Sequence, residues 1–361
     1  MKQRRMQSLF CIAVVLLGTF SVFASGAPES SLHGTQAIDA LGRTVELPDK
    51  PSVIAVVGKA ALIPSDALFM FPIAQEAEVY LSTTDQGLGD FFPLLKPSIT
   101  GDKRLAQQAS AEEILALKPD LILMKSSNYQ QLGKQLEQFN LPLFVMDLES
   151  SEAWKEEILQ LGKLLDDTAT AQNVVAELQR REDAIATQIA TIDPNQKPTV
   201  VYAQATSQEG TLSLSVSPNV WIQQSLVEKA GAIPIWVDQS ITAPSWRTIS
   251  FEQLAAWKPD VLVLISYRQD AKQLVERFHA SLQWQFLGTK VFASAADVVN
   301  YAQADSRWIL ALQHLAKTLY PDLFATVSMA EEVRSFYRTI YNVEDTDVLN
   351  LLVDSYIQSV N

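Results

Sequence analysis

SAEEILALKPDLILMKS (Ser110–Ser126) and SFEQLAAWKPDVLVLIS (Ser250–Ser266) are one pattern written twice, 140 residues apart. The copies agree at Ser110/Ser250, Glu112/Glu252, Ala116/Ala256, Lys118/Lys258, Pro119/Pro259, Asp120/Asp260 and Ser126/Ser266. In each, a serine stands three residues ahead of Glu113 or Gln253. That is capping-box spacing, so a short helix should start at each serine. Ile114, Leu115 and Leu117 give the helix one apolar face. Lys-Pro-Asp ends it, because the residue before a proline is pushed out of the helical region. The apolar runs that follow, Leu121–Met124 and Val261–Ile265, suit strands buried on both faces of a parallel sheet. Helix, stop, buried strand is the α/β order, and one occurrence in each half predicts two similar domains. A solenoid unit would be far shorter.

Glu112 and Glu252 fall in the first turn of these helices, away from the apolar face. One reading is complementation of the helix dipole, worth about 0.3–1 kcal/mol each. Their recurrence at one place in both copies supports another, a matched pair met by a two-fold symmetric partner.

The chain has 361 residues, enough for two ordinary domains, and is 48% apolar, which removes disorder as the default. A net charge of −13 lacks the basic footprint of a nucleic-acid binder. At the N-terminus, Lys2, Arg4 and Arg5 precede an apolar stretch from Leu9 to Ala24, and Val22-Phe23-Ala24 supplies the cleavage positions. Residues 1–24 therefore read as a secretory signal, which places the mature chain in the periplasm or otherwise outside the cytoplasm. An uncleaved anchor is the alternative, although the run is short for a span. Cleavage would take the net charge from −13 to −16. Cys11, the only cysteine, lies in this signal, so the mature chain would have neither disulfides nor thiol chemistry.

Residues 25–36 read as a flexible lead and 37–167 as a first lobe. That lobe opens with a candidate hairpin over Ala37–Pro48 around Gly42. Strands are expected at Val53–Val57, Val79–Ser82, Leu121–Met124 and Leu143–Met146. A helix over Ala60–Phe71 should be interrupted at Pro64. From Ser151 to Ile192 the sequence is helical, and Thr168–Ile192 reads as one helix of about 25 residues, or some 35 Å. We take residues 168–193 as a stiff connector between lobes; the alternative is a surface helix of one large domain. The second lobe, 194–345, has an expected strand at Thr199–Ala203, a polar loop Gln204–Pro218, a helix Asn219–Ala230 and an extended piece Ile233–Val237. After the second copy come short strands at Val291–Ala293 and Val298–Tyr301, and helical segments at Arg307–Leu319 and Glu331–Tyr341. Residues 346–361 read as an acidic, partly helical tail.

Five stretches together resemble a known family. They are Asp39–Pro51 (DALGRTVELPDKP), the first copy with Gly101-Asp102 before it, the second copy with Trp246 before it, Leu315–Phe324 (LAKTLYPDLF) and Glu331–Tyr341 (EEVRSFYRTIY). In this order they resemble the extracytoplasmic solute-binding proteins of ABC importers, over roughly Gln36–Tyr341. The most similar subclass serves iron–siderophore, haem and cobalamin uptake. The resemblance implies an α/β fold of two Rossmann-like lobes with mostly parallel sheets, joined by a single long helix, with the ligand cleft between lobes. It further implies a monomer that binds a small molecule, here expected to be an iron chelate, and docks on a membrane permease with its ATPase. By position in the motif, Glu112 and Glu252 would meet arginines of that permease.

Ligands of open α/β sheets gather beyond the carboxyl ends of the strands. In the first lobe that rule selects Lys59, Ala60, Thr83, Thr84, Ser127, Asn128 and Asp147. In the second it selects Gln204, Tyr267 and Arg268, with loop residues Trp221, Ser245, Trp246, Arg247, Tyr301 and Arg307. Aromatic rings and guanidinium forks suit a large anionic chelate. The bland alternatives are that Trp221 and Trp246 are core and that Arg307 is solvated. The chain shows no obvious cluster of cleft arginines, which leaves haem, cobalamin and a compact oxyanion such as molybdate open.

No cofactor is expected. Direct metal binding would need several converging His, Asp or Glu side chains; the three histidines, His33, His279 and His314, are far apart in sequence. An enzyme would want a nucleophile beside a positioned base. The chain has no G-x-S-x-G elbow, no mature cysteine and no Gly-rich phosphate loop. The acidic pairs Asp166-Asp167 and Glu182-Asp183 read as solvated helix faces. A sensor-coupled binding protein without transport is a third reading.

Overall fold

The computed structural model describes residues 34–84, 86–208, 211–237 and 245–360. The expected signal, Cys11 and His33 lie outside them. Thirteen strands are described: β1 (Thr35–Ile38), β2 (Thr44–Leu47), β3 (Val53–Val57), β4 (Glu78–Ser82), β5 (Arg104–Leu105), β6 (Leu121–Lys125), β7 (Leu143–Met146), β8 (Thr199–Gln208), β9 (Thr211–Val216), β10 (Ile233–Pro234), β11 (Arg247–Ile249), β12 (Val261–Ile265) and β13 (Lys290–Ala293). The first lobe holds an all-parallel sheet in the order β5-β4-β3-β6-β7. The second holds β11-β9-β8-β12-β13, with β10 beside the start of β8 and only β9 running against the others.

The repeated segment folds as its residues dictate. Ser110 caps Ala111–Ala116 in a full capping box, and Ser250 caps Phe251–Trp257. Lys118 and Lys258 both turn through the left-handed region, at φ 52° and 48°. Each matched aspartate then fastens the start of the central strand of its own lobe's sheet, β3 or β8. The Asp120 carboxylate accepts hydrogen bonds from the amides of Ser52 and Val53 and from the Ser52 hydroxyl, at 2.7–2.9 Å. The Asp260 carboxylate does the same for the Thr199 amide and hydroxyl at 2.8 Å. The motif is thus a clamp between the incoming helix and the central strand.

The connecting helix spans Thr168–Ile189, 22 residues, with Asp167 as its N-cap. At 1.5 Å per residue it is about 33 Å long. It packs on the helix Ser151–Leu164, and the approach is close at Gly162, where a Cβ would fall 2.4 Å from the Ala171 Cβ.

Several expectations need correction. Pro64 does not interrupt its helix, Leu62–Leu68; it sits in the first turn, where a backbone N–H has no intrahelical partner to lose. The polar stretch after Ala203 is a β-hairpin, because β8 continues to Gln208 and returns as β9. Val298–Tyr301 forms no strand and lies buried in irregular chain. Asp166 and Asp167 occupy the break between two helices, with Asp166 at φ 56°. Glu182 is buried, not solvated, and pairs with Lys155 and Lys229. Residues 346–360 form a packed helix that buries Leu349, Leu352, Val353 and Tyr356.

The two lobes are fastened to each other by ion pairs. Arg307, expected in solvent, is 0% exposed, as is its partner Asp66 on the first-lobe helix. The guanidinium bonds Asp66 at 2.6 Å, Asp305 at 3.1 Å and the Tyr337 hydroxyl at 2.8 Å, and lies 4.2 Å from the Phe91 ring centre. The Ser306 amide and the Tyr341 hydroxyl also donate to Asp66. A second fastening joins Lys229 of the second lobe to Glu152 of the first and to Glu182 of the connecting helix.

Candidate functional site

In the first lobe the chain leaves β3 toward β4 on one side and returns through β6 on the other. The topological switch point therefore lies between the carboxyl ends of β3 and β6. Two loops meet there. The Asn128 amide accepts from the Lys59 N–H and donates to the Lys59 carbonyl, both at 2.9 Å. Gly58, at φ 94°, makes room for it, since a Cβ would stand 2.7 Å from Asn128 Cγ. The Lys59 side chain is left exposed at the rim.

Beside this point β6 ends in Lys125, which is buried. Its ammonium bonds Glu149 Oε1 at 2.6 Å and the Asp147 carbonyl. Burial holds the Glu149 carboxyl above its ordinary pKa, while Lys125 pulls the other way. Asp147 accepts from the Ser126 hydroxyl and keeps its side chain 47% exposed. Beneath them, Glu157 accepts from the amides of Asp147 and Leu148 at 2.7 and 2.9 Å. Burial outweighs those bonds and pushes its pKa up to about 7. Lys125, a buried cation on this side, is thus already neutralised.

The second lobe answers with aromatic rings. Trp221 and Trp246 lie 6.0 Å apart edge to face, and Trp246 and Tyr267 lie 6.2 Å apart. All three are half-buried. The Tyr267 hydroxyl donates to the Ala302 carbonyl at 2.8 Å, and Gln223 Nε2 donates to the same oxygen at 2.9 Å. Burial, and then the negative charge of Glu149 across the crevice, push the Tyr267 pKa up, so the hydroxyl keeps its proton. The carboxyl ends of the two sheets also touch directly. Gln86, after β4, donates to Gln303 at 2.8 Å, and Gly87 packs against the Arg268 carbonyl.

The structure therefore gathers Lys59, Ala60, Ser127, Asn128 and Asp147 at one lip. It gathers Trp221, Trp246 and Tyr267 at the other. Arg268 is exposed at the lobe contact. Gln204 and Arg247, expected in loops, are strand residues of β8 and β11, each half-buried. Thr84 is buried and bonded to Asp90 and Arg104. Tyr301 is a correction: it is 0% exposed, stacked on Tyr356 at 6.0 Å, with its hydroxyl on Asp297, so it faces core rather than ligand. Residues missed from sequence are Lys125, Glu149 and Gln223. A lysine closing an apolar run was a visible signal for the first; Gln223 had none. Glu112 and Glu252 are exposed in the first turns of the two capped helices.

Among the described residues, no group of three His, Cys, Asp or Glu side chains could hold a metal ion, and no helix is long and apolar enough to cross a membrane. A family model described as "Periplasmic binding protein" matches residues 102–285. The chain is 28% identical over 215 residues to a Vitamin B12-binding protein of Photorhabdus laumondii, covering 59% of this chain and 71% of that protein. It is 24% identical over 209 residues to the Fe(3+) dicitrate-binding periplasmic protein of Escherichia coli, covering 58% and 65%. Its fold is similar to that of a molybdate periplasmic binding protein of Haemophilus influenzae, with TM-score 0.68, 17% identity, and coverage of 86% and 99%.

Proposed function

The chain belongs to the periplasmic binding protein family, and from that premise we propose that it is the extracytoplasmic binding component of an ABC importer. In this reading it captures a large metal-centred ligand between its lobes and delivers it to a membrane permease. The family is one of binding proteins, so no reaction is assigned to the crevice. The observation that carries the proposal is the Trp221–Trp246–Tyr267 wall set opposite a cation already bound by Glu149. Flat rings reward apolar area, and a neutralised lysine offers a polyanion little. That chemistry favours a ligand of the cobalamin type, in keeping with the B12-binding relatives.

An iron chelate of the siderophore or dicitrate type is the second reading. Lys59, Arg247 and Arg268 support it, because none of the three makes an ion pair among the described residues. In either case Lys59, Ala60, Ser127, Asn128, Asp147, Trp221, Trp246 and Tyr267 would line the site, with Glu112 and Glu252 docking a monomeric protein on the permease. Native mass spectrometry and an absorption spectrum of protein purified from its host test the proposal. A retained corrinoid or ferric chelate supports it; a retained colourless oxyanion refutes it.

A further inference from the structure

Gln223 carries an atom for which the fold has no use. The residue is 3% exposed and sits in the first turn of the helix Ile222–Lys229, two residues past Trp221. Its Nε2 donates to the Ala302 carbonyl at 2.9 Å and lies 3.4 Å from the Tyr267 hydroxyl. A carbonyl can only accept, so this contact fixes which end of the amide is nitrogen. The Tyr267 proton is directed to that same carbonyl. Oε1 is left with no hydrogen-bond partner among the described residues. A buried acceptor in this state carries an uncompensated desolvation cost, which is relieved by whatever brings a donor to it.

The neighbouring groups have the same polarity. Lys125 is held by Glu149 and the Asp147 carbonyl. Tyr267 has committed its proton, and the Asp147 carboxylate is half-exposed. Near Gln223 the crevice thus offers acceptors, since the Lys125 and Tyr267 donors are engaged; the unpaired Lys59 ammonium stands out at the rim. Resting on the reading of the crevice as the ligand site, we propose that Gln223 is a specificity-determining residue. It selects ligands that present an uncharged hydrogen-bond donor, an amide N–H or a hydroxyl, to Oε1. Ligands that present only carboxylate or ester oxygens leave Oε1 unpaired and meet Asp147 as well.

Two corrin probes separate this role from a merely structural one. Cyanocobalamin carries peripheral amide N–H groups; the heptamethyl ester of cobyrinic acid keeps the ring but offers acceptors only. Dissociation constants are measured for both with the wild-type protein and with Gln223→Met, which removes the acceptor at similar length. The wild type should prefer cyanocobalamin, and Gln223→Met should weaken it by about tenfold or more while moving the ester by about twofold or less. Equal losses for both probes would show that Gln223 only props Tyr267, and would overturn the proposal; so would no loss for either.

Trp246→Ala tests the crevice reading separately. If it abolishes binding of both probes while Gln223→Met keeps the wild-type preference, only the assignment of Gln223 fails. If Trp246→Ala binds both probes normally, the crevice reading itself fails. Should the Gln223 variant not fold, the wild type still decides: preference for the ester, or uptake of ferric dicitrate with neither corrin bound, refutes the donor requirement.

Discussion

Replacing Arg307 with methionine tests how the lobes are held. The guanidinium is the only cation in contact with Asp66 and Asp305 among the described residues, and it stands 3.9 Å from Asp297. All four side chains are fully buried. Removing one partner of such a buried set leaves uncompensated charge, which costs about 3–5 kcal/mol. Asp66→Asn keeps an acceptor for the Ser306 amide and should cost less, about 1–3 kcal/mol. The two losses should not add, since each variant breaks the same contact; a coupling of about 0.5–3 kcal/mol is expected.

Urea unfolding followed by tryptophan fluorescence gives the numbers, with a second probe to check that the transition has two states. The variant should also respond to pH. Burial raises the pKa of Asp297 and Asp305, and Arg307 opposes the rise. A carboxyl whose folded pKa lies above its unfolded value contributes most below the unfolded pKa, and that contribution is lost as pH rises through the folded one. Without Arg307 those pKa values rise further, so the deficit of Arg307→Met should shrink on acidification. A loss below about 1 kcal/mol, or a deficit that grows on acidification, would refute the reasoning.

Glu157 offers a second pH test. Its folded pKa of about 7 lies above the ordinary 4.5, so stability from the retained proton is full below about 4.5 and lost as pH rises through about 7. The change is at most on the order of 3 kcal/mol, and Glu157→Gln should flatten the stability-against-pH curve over that window. Charge reversal at both Glu112 and Glu252 should abolish uptake in whole cells and leave ligand affinity unchanged; normal uptake would remove their docking role. Exposed pairs contribute only about 0–1 kcal/mol each, so the expected effect is on orientation. Gly162→Val should destabilise by about 1–3 kcal/mol in thermal unfolding, because its Cβ has no room beside Ala171.

What was legible in the sequence is local. The Ser110 and Ser250 caps, the Lys-Pro-Asp stops and the runs of β6 and β12 depend on neighbours in the chain, and each forms where its residues indicate. The second-lobe hairpin was also written there, in the alternation of Thr211–Val216 (TLSLSV), but its serines read as loop. The ion cluster was not legible, since Asp66 and Arg307 are 241 residues apart and no spacing connects them. Tyr301 looked like a loop aromatic because burial is a property of the packed chain. The residues gathered at the two lips could be proposed from sequence because strand ends follow from strand assignments. Gln223 escaped because an unused lone pair exists only once its neighbours are in place.

Gly87 and Gly89 sit where the loop after β4 crosses to the other lobe, at φ 81° and 140°. A Cβ at the first would reach 2.9 Å from the Arg268 carbonyl, and one at the second 3.1 Å from the Val298 side chain. Any larger residue there becomes a doorstop, wedged beside the Asp66–Arg307 bolt, because Val298 adjoins Asp297 and Gln303, bonded to Gln86, donates to Asp305. How closely the lobes approach at this loop therefore depends on two side chains being no larger than a hydrogen.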